Sequence, residues 1–368
     1  MWIKDNKKKK KTKKDDSDGG EKKSGIFGFG RKGEDKKKKK KRWTFLHRFG
    51  PDYLNCPAGM VVSPEHGSLI VCDKGANQVR LVSLEGKLVG QFGGKGDSIG
   101  HLNGPVGVCV GAEGKMMITE YWNNRVQMFS AEGRPLRTFT VSARNGESQS
   151  GGGGGVVSEF ASGGLSPGAG SGINRVGSGV GGSSIGATGE NQALRCPWGI
   201  CVGPGEKIYV ADGPNHVVRV FTADGEYLRA FGSEGSGKGQ LFFPRDLMMD
   251  VDNNVLVVAD NGNHRLQMLD PETGEHLGSC GVRRGDGPGE LNYPSSVCLG
   301  PDGNYIIADQ DNHRLDVYTP EGEFIEMFGS WGTKNTQFEK PIHISCDRES
   351  GLLYVVEEGK PHVKVFQY

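Results

Sequence analysis

The chain has 368 residues, of which 61 are glycine and only 35% are hydrophobic, a composition that favours many short strands joined by tight turns. It contains no run of about 18 apolar residues, so no transmembrane helix is predicted. The first residues lack the apolar segment of a secretory signal and Trp2 excludes N-myristoylation, so we expect a cytoplasmic location, with the nucleus as the alternative.

The net charge of +1 hides two segments of opposite charge. Residues 1–42 contain 17 Lys and 2 Arg against 7 acidic residues, a net charge of +12. Residues 43–368 contain 26 basic and 37 acidic residues, a net charge of −11. We therefore predict a disordered Lys-rich tail over 1–42 and an acidic folded body. Lysine runs of this kind are typical of import signals, nucleic-acid contacts and contacts with anionic membranes. The sequence of the tail does not distinguish among these three kinds of partner.

Internal repeats organise the body. Six apolar strands are each preceded by a proline: Pro57, Pro105, Pro197, Pro244, Pro294 and Pro341. The prolines are 47 to 50 residues apart, except for one interval of 92 residues. Residues 140–192 in that interval are rich in Gly and Ser and lack the alternation of a strand, so we predict a disordered insertion between repeats 2 and 3. The chain then has six repeats.

The fifth repeat shows the pattern that the others share. Apolar runs at 297–299, 305–309, 313–318 and 324–329 are separated by polar turns, which predicts four short strands and matches one propeller blade. An acidic residue lies 15 or 16 positions after each proline: Asp73, Glu120, Asp212, Asp260, Asp309 and Glu357.

The strings that follow these acids are specific. They are TEYWNNRVQMF (119–129), ADGPNHVVRVF (211–221), ADNGNHRLQML (259–269) and ADQDNHRLDVY (308–318). They resemble the NHL repeat, named for its Asn-His-Leu core, although the sixth repeat, EEGKPHVKVF (357–366), lacks the Asn. Apart from the insertion, the resemblance covers 43–368 and implies an all-β, six-bladed NHL β-propeller. The sixth repeat ends after three strands, so we predict that a strand at 43–50 pairs in blade 6 and closes the ring.

The recurring Asp, Asn and His residues could form a catalytic centre or stabilise turns. Because they recur in several repeats whereas an active site needs them once, we predict that they hold the turn between the second and third strands. This accounts for three histidines: His216, His264 and His313. Of the other histidines, His101, His343 and His362 are too few for a metal site. The cysteines at 109, 201 and 298 occupy equivalent positions and are predicted to pack in the core. We therefore predict no enzymatic activity and no cofactor.

The loops between blades share one face with the turns between second and third strands. Aromatic and Arg side chains, which dominate binding hot spots, are concentrated there. The predicted binding residues are Tyr121, Trp122, Arg125, Trp198, Phe242, Arg245, Arg283, Arg284, Tyr293, Trp331, Lys334 and His343. The alternative is that Trp198, Phe243 and Tyr293 fill seams between blades.

The resemblance extends to the C-terminal NHL domain of tripartite-motif proteins, where it implies recognition of substrates or RNA within a ubiquitin-ligase-type protein. The sequence contains no clustered Cys/His pattern of a RING or B-box, so a ligase role would need another chain. We favour protein recognition by the loop-rich face, because a net charge of −11 opposes phosphate binding. Single-stranded RNA binding by the same face is the alternative.

Overall fold

A computed structural model describes residues 43–63, 65–141, 193–281 and 283–368. The predicted tail over 1–42 and nearly all of the predicted insertion over 140–192 lie outside the described residues. The described residues belong to one compact unit. Within them, no helix is long and apolar enough to cross a membrane.

The described residues form 24 β-strands. The first twelve are β1 Thr44–Phe49, β2 Pro57–Ser63, β3 Ser68–Asp73, β4 Gln78–Ser83, β5 Leu88–Gly93, β6 Pro105–Val110, β7 Met116–Glu120, β8 Arg125–Phe129, β9 Pro135–Phe139, β10 Ile200–Val202, β11 Ile208–Asp212 and β12 Val217–Phe221. The others are β13 Tyr227–Phe231, β14 Pro244–Asp250, β15 Val255–Asp260, β16 Arg265–Leu269, β17 His276–Cys280, β18 Pro294–Leu299, β19 Tyr305–Asp309, β20 Arg314–Tyr318, β21 Phe324–Phe328, β22 Pro341–Asp347, β23 Leu352–Glu357 and β24 Val363–Gln367.

Short 3₁₀ turns join some of these strands. They are Ala112–Gly114, Pro204–Glu206, Gly213–Asn215, Asn261–Asn263 and Gln310–Asn312.

The strands form six antiparallel sheets of four, which confirms the predicted all-β, six-bladed architecture. Blades 1 to 5 each use four consecutive strands, beginning with β2, β6, β10, β14 and β18. Blade 6 has the order β22-β23-β24-β1. In it, Thr44 lies opposite Gln367 and Phe49 opposite Val363, so the N-terminal strand covers the edge that β24 would otherwise expose.

The first strands of neighbouring blades pack against one another around the ring, and β2 contacts β22. Glycine permits this approach in the first blades: a Cβ at Gly59 would lie 2.1 Å from the Val106 oxygen, and one at Gly107 would lie 2.2 Å from the Trp198 oxygen. Because strands alternate in direction, inter-blade loops and turns between second and third strands lie at one end. We call this end the loop face; the other turns form the opposite face.

The apolar core lies in the seams between blades, and each of its six clusters draws on two neighbouring blades. In the first seam, for example, Ile70 packs with Met116 and Phe129. Burying each such side chain contributes about 1.5–3 kcal/mol. Cys109 and Cys298 are buried in seams, while Cys201 is half-buried. Burial raises the pKa of all three thiols, which suits a role in packing.

Candidate functional site

The repeat acid at the end of each second strand is buried and forms an ion pair. The six pairs are Asp73–Arg80, Glu120–Arg125, Asp212–Arg219, Asp260–Arg265, Asp309–Arg314 and Glu357–Lys364. Asp260 also accepts hydrogen bonds from the Phe242 backbone N–H at 2.7 Å and from Asn263 Nδ2 at 2.9 Å. Since Phe242 belongs to the preceding inter-blade loop, the acid fastens that loop to the blade.

The histidines of the motif connect a blade to the next one. His216, His264 and His313 have left-handed backbones, with φ of 56–59°. Their Nδ1 atoms accept hydrogen bonds from the backbone N–H groups of Phe243, Tyr293 and Lys340. In blades 1 and 2, Asn77 and Asn124 accept the equivalent bonds.

The predicted role of the motif was therefore too narrow. We expected these side chains to hold their own turn, but they mainly bind the inter-blade loops on either side. The reason is that each loop returns across the end of the blade and brings unpaired N–H groups to the turn. Among the described residues, no cluster of three or more His, Cys, Asp and Glu side chains is arranged to hold a metal.

Two rings of equivalent positions surround the central channel on the loop face. The residues after the six prolines line a cavity at its mouth: Ala58, Val106, Trp198, Arg245, Ser295 and Ile342. The residues after the six repeat acids are Lys74, Tyr121, Gly213, Asn261, Gln310 and Glu358. The residue type at both rings of positions changes from blade to blade, whereas every blade keeps its repeat acid. The fold therefore does not dictate which side chains occupy the two rings.

Blades 1 to 4 contribute a compact group from these rings, which we call the mouth cluster: Lys74, Tyr121, Trp198 and Arg245. The Arg245 guanidinium lies 4.5 Å from the Trp198 ring centre. Lys74 Nζ lies 5.5 Å from the same ring and 5.0 Å from that of Tyr121. The two aromatic rings meet edge to face at 5.4 Å. Two cations thus lie over one tryptophan ring, a geometry in which cation–π attraction orients both charges.

Burial lowers the pKa of both cations of the cluster. For Lys74 the positive charge of Arg245 acts in the same direction. For Arg245 the carboxylates of Glu358, Asp246 and Asp311 act in the opposite direction, from beyond ion-pair distance. Arg245 also donates a hydrogen bond to Gln310 Oε1. The ordinary pKa of a Lys or Arg side chain lies far above 7.

A polar pair lies below the cluster. Asp246 and His343 line the same cavity, with 3.8 Å between His343 Nε2 and Asp246 Oδ2. Burial lowers the pKa of His343, so its imidazole is neutral at pH 7. Its Nδ1 atom is buried without a hydrogen-bond partner among the described residues. The cavity volume of about 20 Å³ is on the scale of a water molecule.

The structure brings together four predicted binding residues: Tyr121, Trp122, Trp198 and Arg245. Trp122 contacts Tyr121, with 4.7 Å between ring centres, and is 57% exposed. His343 lies in the cavity beside them. Trp198 therefore lies at the channel mouth rather than filling a seam.

Arg125 has a structural role instead. Its guanidinium binds the Glu120 carboxylate and the backbone oxygens of Asp97, Ser98 and His101. These bonds occupy the donors that a partner would need, so Arg125 is removed from the binding set. The sequence could not show this, because the carbonyl groups come from a loop 24 to 28 residues away.

Phe242 and Tyr293 lie on histidines of the preceding blades. Phe242 stacks on His216 at 5.0 Å, and Tyr293 contacts His264 edge to face at 4.3 Å. Tyr293 is half-buried, so its contact with His264 agrees with the alternative that Tyr293 fills a seam between blades. Phe243 contacts His216 too, but is 46% exposed.

The remaining predicted residues lie on the loops that enter blades 5 and 6. Arg283 pairs with Glu290, and the Arg284 guanidinium lies 5.5 Å from the Tyr293 ring centre. Trp331 is 68% exposed and Lys334 is exposed beside it. Trp331 occupies the loop position of Arg284, since both form the same bridge to an apolar residue seven positions later.

Lys74 is the member of the mouth cluster that sequence reasoning missed. It follows the repeat acid Asp73 as Tyr121 follows Glu120, so aligning the repeats would have found it. The predicted binding residues are mainly aromatic and Arg side chains, a pattern that the lysine at this position does not match.

The family model described as "NHL repeat" matches residues 194–221, 243–268 and 291–318. The chain is 32% identical over 169 residues to human NHL repeat-containing protein 3, covering 43% of this chain and 46% of that protein. It is 29% identical over 140 residues to Protein brain tumor of Drosophila melanogaster, covering 37% and 12%. The chain thus spans less than half the length of these curated relatives.

A similar solved structure is titled "Streptogramin B lyase structure". It has a TM-score of 0.55 and 13% sequence identity, over 88% of this chain and 97% of that one. This likeness shows the propeller fold alone.

Proposed function

We propose that this chain, a six-bladed β-propeller that contains NHL repeats, is a non-enzymatic platform that binds a partner protein with its loop face. The observation that carries the proposal is the mouth cluster. Its two cations and two aromatic rings occupy positions that the fold leaves free to vary, and such side chains dominate protein-binding hot spots. By resemblance to tripartite-motif proteins, the partner would be a substrate of a ubiquitin-ligase-type assembly.

The small cavity favours surface recognition over catalysis. Pockets that enclose a small-molecule substrate typically measure about 300–1,000 Å³, whereas the cavity at the channel mouth measures about 20 Å³. The recurring Asp, Asn and His side chains are engaged in fastening loops, as Asp260 and His264 illustrate. Binding across the rim needs neither a deep pocket nor a free nucleophile.

A capture experiment tests this proposal. The full chain is compared with Trp198→Ala, and with Lys87→Met as a control, since Lys87 is exposed in the turn between β4 and β5 on the opposite face. We expect partner proteins, quantified by mass spectrometry after nuclease treatment, to fall at least ten-fold with Trp198→Ala and to be unchanged with Lys87→Met. A protein set that does not depend on Trp198 contradicts the proposal. Loss of capture on nuclease treatment favours RNA instead.

A further inference from the structure

We propose that the mouth cluster is a carboxylate-recognition site, which takes the side chain of an Asp or Glu residue of the partner between Lys74 and Arg245, against Trp198. This inference rests on the proposed function and specifies the chemistry of the partner. It assigns a role to Lys74, which the repeat pattern does not require.

Two half-buried cations of the mouth cluster lack carboxylate partners in the part of the chain that the structure describes. Among the described residues, neither Lys74 nor Arg245 has a carboxylate oxygen within ion-pair distance, whereas Arg80, Arg125 and Arg265 on the same face each pair with a repeat acid. The hydrogen bond of Arg245 goes to a neutral amide, that of Gln310. A cation that has lost part of its water shell without gaining a counter-ion favours an arriving anion.

The contacts within the mouth cluster hold its side chains in place. Trp198 holds the two cations on its own ring, at 4.5 Å and 5.5 Å, and Tyr121 packs against its edge. The site is therefore ordered before a ligand arrives, which reduces the entropy cost of binding. The aromatic surface offers apolar contact to the methylene groups of an acidic side chain.

The cavity at the mouth contributes a further polar group, the imidazole of His343. His343 Nδ1 is buried in the cavity wall without a partner among the described residues. Because burial keeps the imidazole neutral, this histidine adds a polar group without adding charge. A water molecule in the cavity would give this nitrogen a partner and would in turn offer a hydrogen bond to a ligand at the mouth.

The surrounding charges favour a single carboxylate over a nucleic-acid backbone. Asp311 and Glu358 lie on the blade 5 and 6 side, where both pair with Lys340 at 3.7 Å and 3.6 Å. Together with Asp246 they act electrostatically on Arg245. A polyphosphate crossing the mouth would meet several of these carboxylates, of which Glu358 also acts on Lys74, whereas one acidic side chain brings a single negative charge.

Selection from a random twelve-residue peptide display library, with the full chain as bait, supplies the probe. The strongest peptides are then synthesised with acetylated and amidated ends, so that only side chains carry charge. Binding is measured by fluorescence anisotropy in about 150 mM salt, where long-range attraction is screened. The proteins compared are wild type, Arg245→Met, Lys74→Met and the opposite-face control Lys87→Met. All of them retain the basic tail, so the effect of the tail on affinity cancels in the comparison. Thermal melting confirms that each variant folds.

We expect an acidic residue in every strong peptide and at least a ten-fold loss of affinity when it is changed from Glu to Gln or from Asp to Asn. Arg245→Met and Lys74→Met should each lose a similar factor, and Lys87→Met none. A double-mutant cycle gives the decisive result. If Arg245 binds the peptide carboxylate, Arg245→Met should weaken binding of the acidic peptide but should cause little further loss with the amide-substituted peptide.

Selected peptides without acidic residues, or with unchanged affinity after amide substitution, overturn this inference and leave the proposed function standing. Finding no peptide, together with binding of a twelve-nucleotide single-stranded oligouridine that weakens with Arg245→Met, overturns both the inference and protein recognition.

Discussion

The Oδ2 atom of Asp316 lies 2.8 Å from Nε of Arg314, although that guanidinium already pairs with Asp309 at 3.1 Å. Blades 2 and 4 place a glutamine at the position of Asp316, and each donates a hydrogen bond to its repeat acid: Gln127 and Gln267. Blade 5 is therefore the blade in which two buried carboxylates share one arginine. Burial and the charge of Asp309 raise the pKa of Asp316 to about 8.

Replacing Asp316 by Gln should remove a pH-dependent weakness. Since the folded-state pKa of Asp316 is raised above its unfolded value near 4, its contribution to stability is present at low pH and is lost as pH rises toward 8. The loss is at most about 1.4 kcal/mol per pH unit. We expect Asp316→Gln to melt at a higher temperature than wild type at pH 8.5, with a smaller difference at pH 5. Equal pH profiles for the two proteins would show that Asp316 is ionised throughout.

The acceptor at His264 should be replaceable by Asn but not by Leu. Asn77 and Asn124 accept the equivalent bond in other blades, and Asn tolerates a left-handed backbone. Leu would leave the Tyr293 N–H unpaired and strain a residue with φ of 57°. We expect His264→Leu to be less stable than His264→Asn by about 1–3 kcal/mol in urea unfolding. Equal stability of the two variants would refute the role given to the histidine.

The N-terminal strand should contribute to the stability of the whole ring. Phe49 is 6% exposed and packs with residues of blades 1 and 6, whereas Leu46 on the same strand is 44% exposed. We expect Phe49→Ala to cost about 3–5 kcal/mol of unfolding free energy, and Leu46→Ala less than about 1 kcal/mol. Similar small costs at both positions would mean that β1 is dispensable.

The buried pair Asp212–Arg219 should matter far more than an exposed one. Both side chains are fully buried, with 2.9 Å between Arg219 Nε and Asp212 Oδ2. Arg219→Met leaves the Asp212 carboxylate without its counter-ion, which should cost about 3–5 kcal/mol. Lys207→Met removes the partly exposed pair with Glu272 and should cost less than about 1 kcal/mol. Chemical unfolding of both variants checks the contrast, and comparable values would contradict it.

Much of the fold followed from local sequence patterns. Proline spacing and alternating apolar residues fix the number of blades, because each blade repeats the same local pattern. The truncated sixth repeat and the pattern at 43–50 likewise pointed to the pairing of β1 with β24.

The candidate site was less predictable, because its contacts join residues distant in sequence. Arg125 was selected as a binding residue although carbonyl groups more than 20 residues away engage it. Aligning the repeats finds Lys74, which follows its repeat acid as Tyr121 does, but its distances of 5.0 Å from the Tyr121 ring and 5.5 Å from the Trp198 ring depend on how blades 1 to 3 are arranged around one mouth. Residue type and spacing cannot reveal which cations lack a counter-ion.

Hydrogen–deuterium exchange tests the central claim most directly, with the full chain measured alone and bound to the protein whose capture depends on Trp198. We expect slower exchange on the loop face, in the turns that follow β3 and β7 and in the loops that lead into β10 and β14. Slower exchange confined to opposite-face turns, such as that between β4 and β5, would contradict the assignment of the loop face as the binding surface.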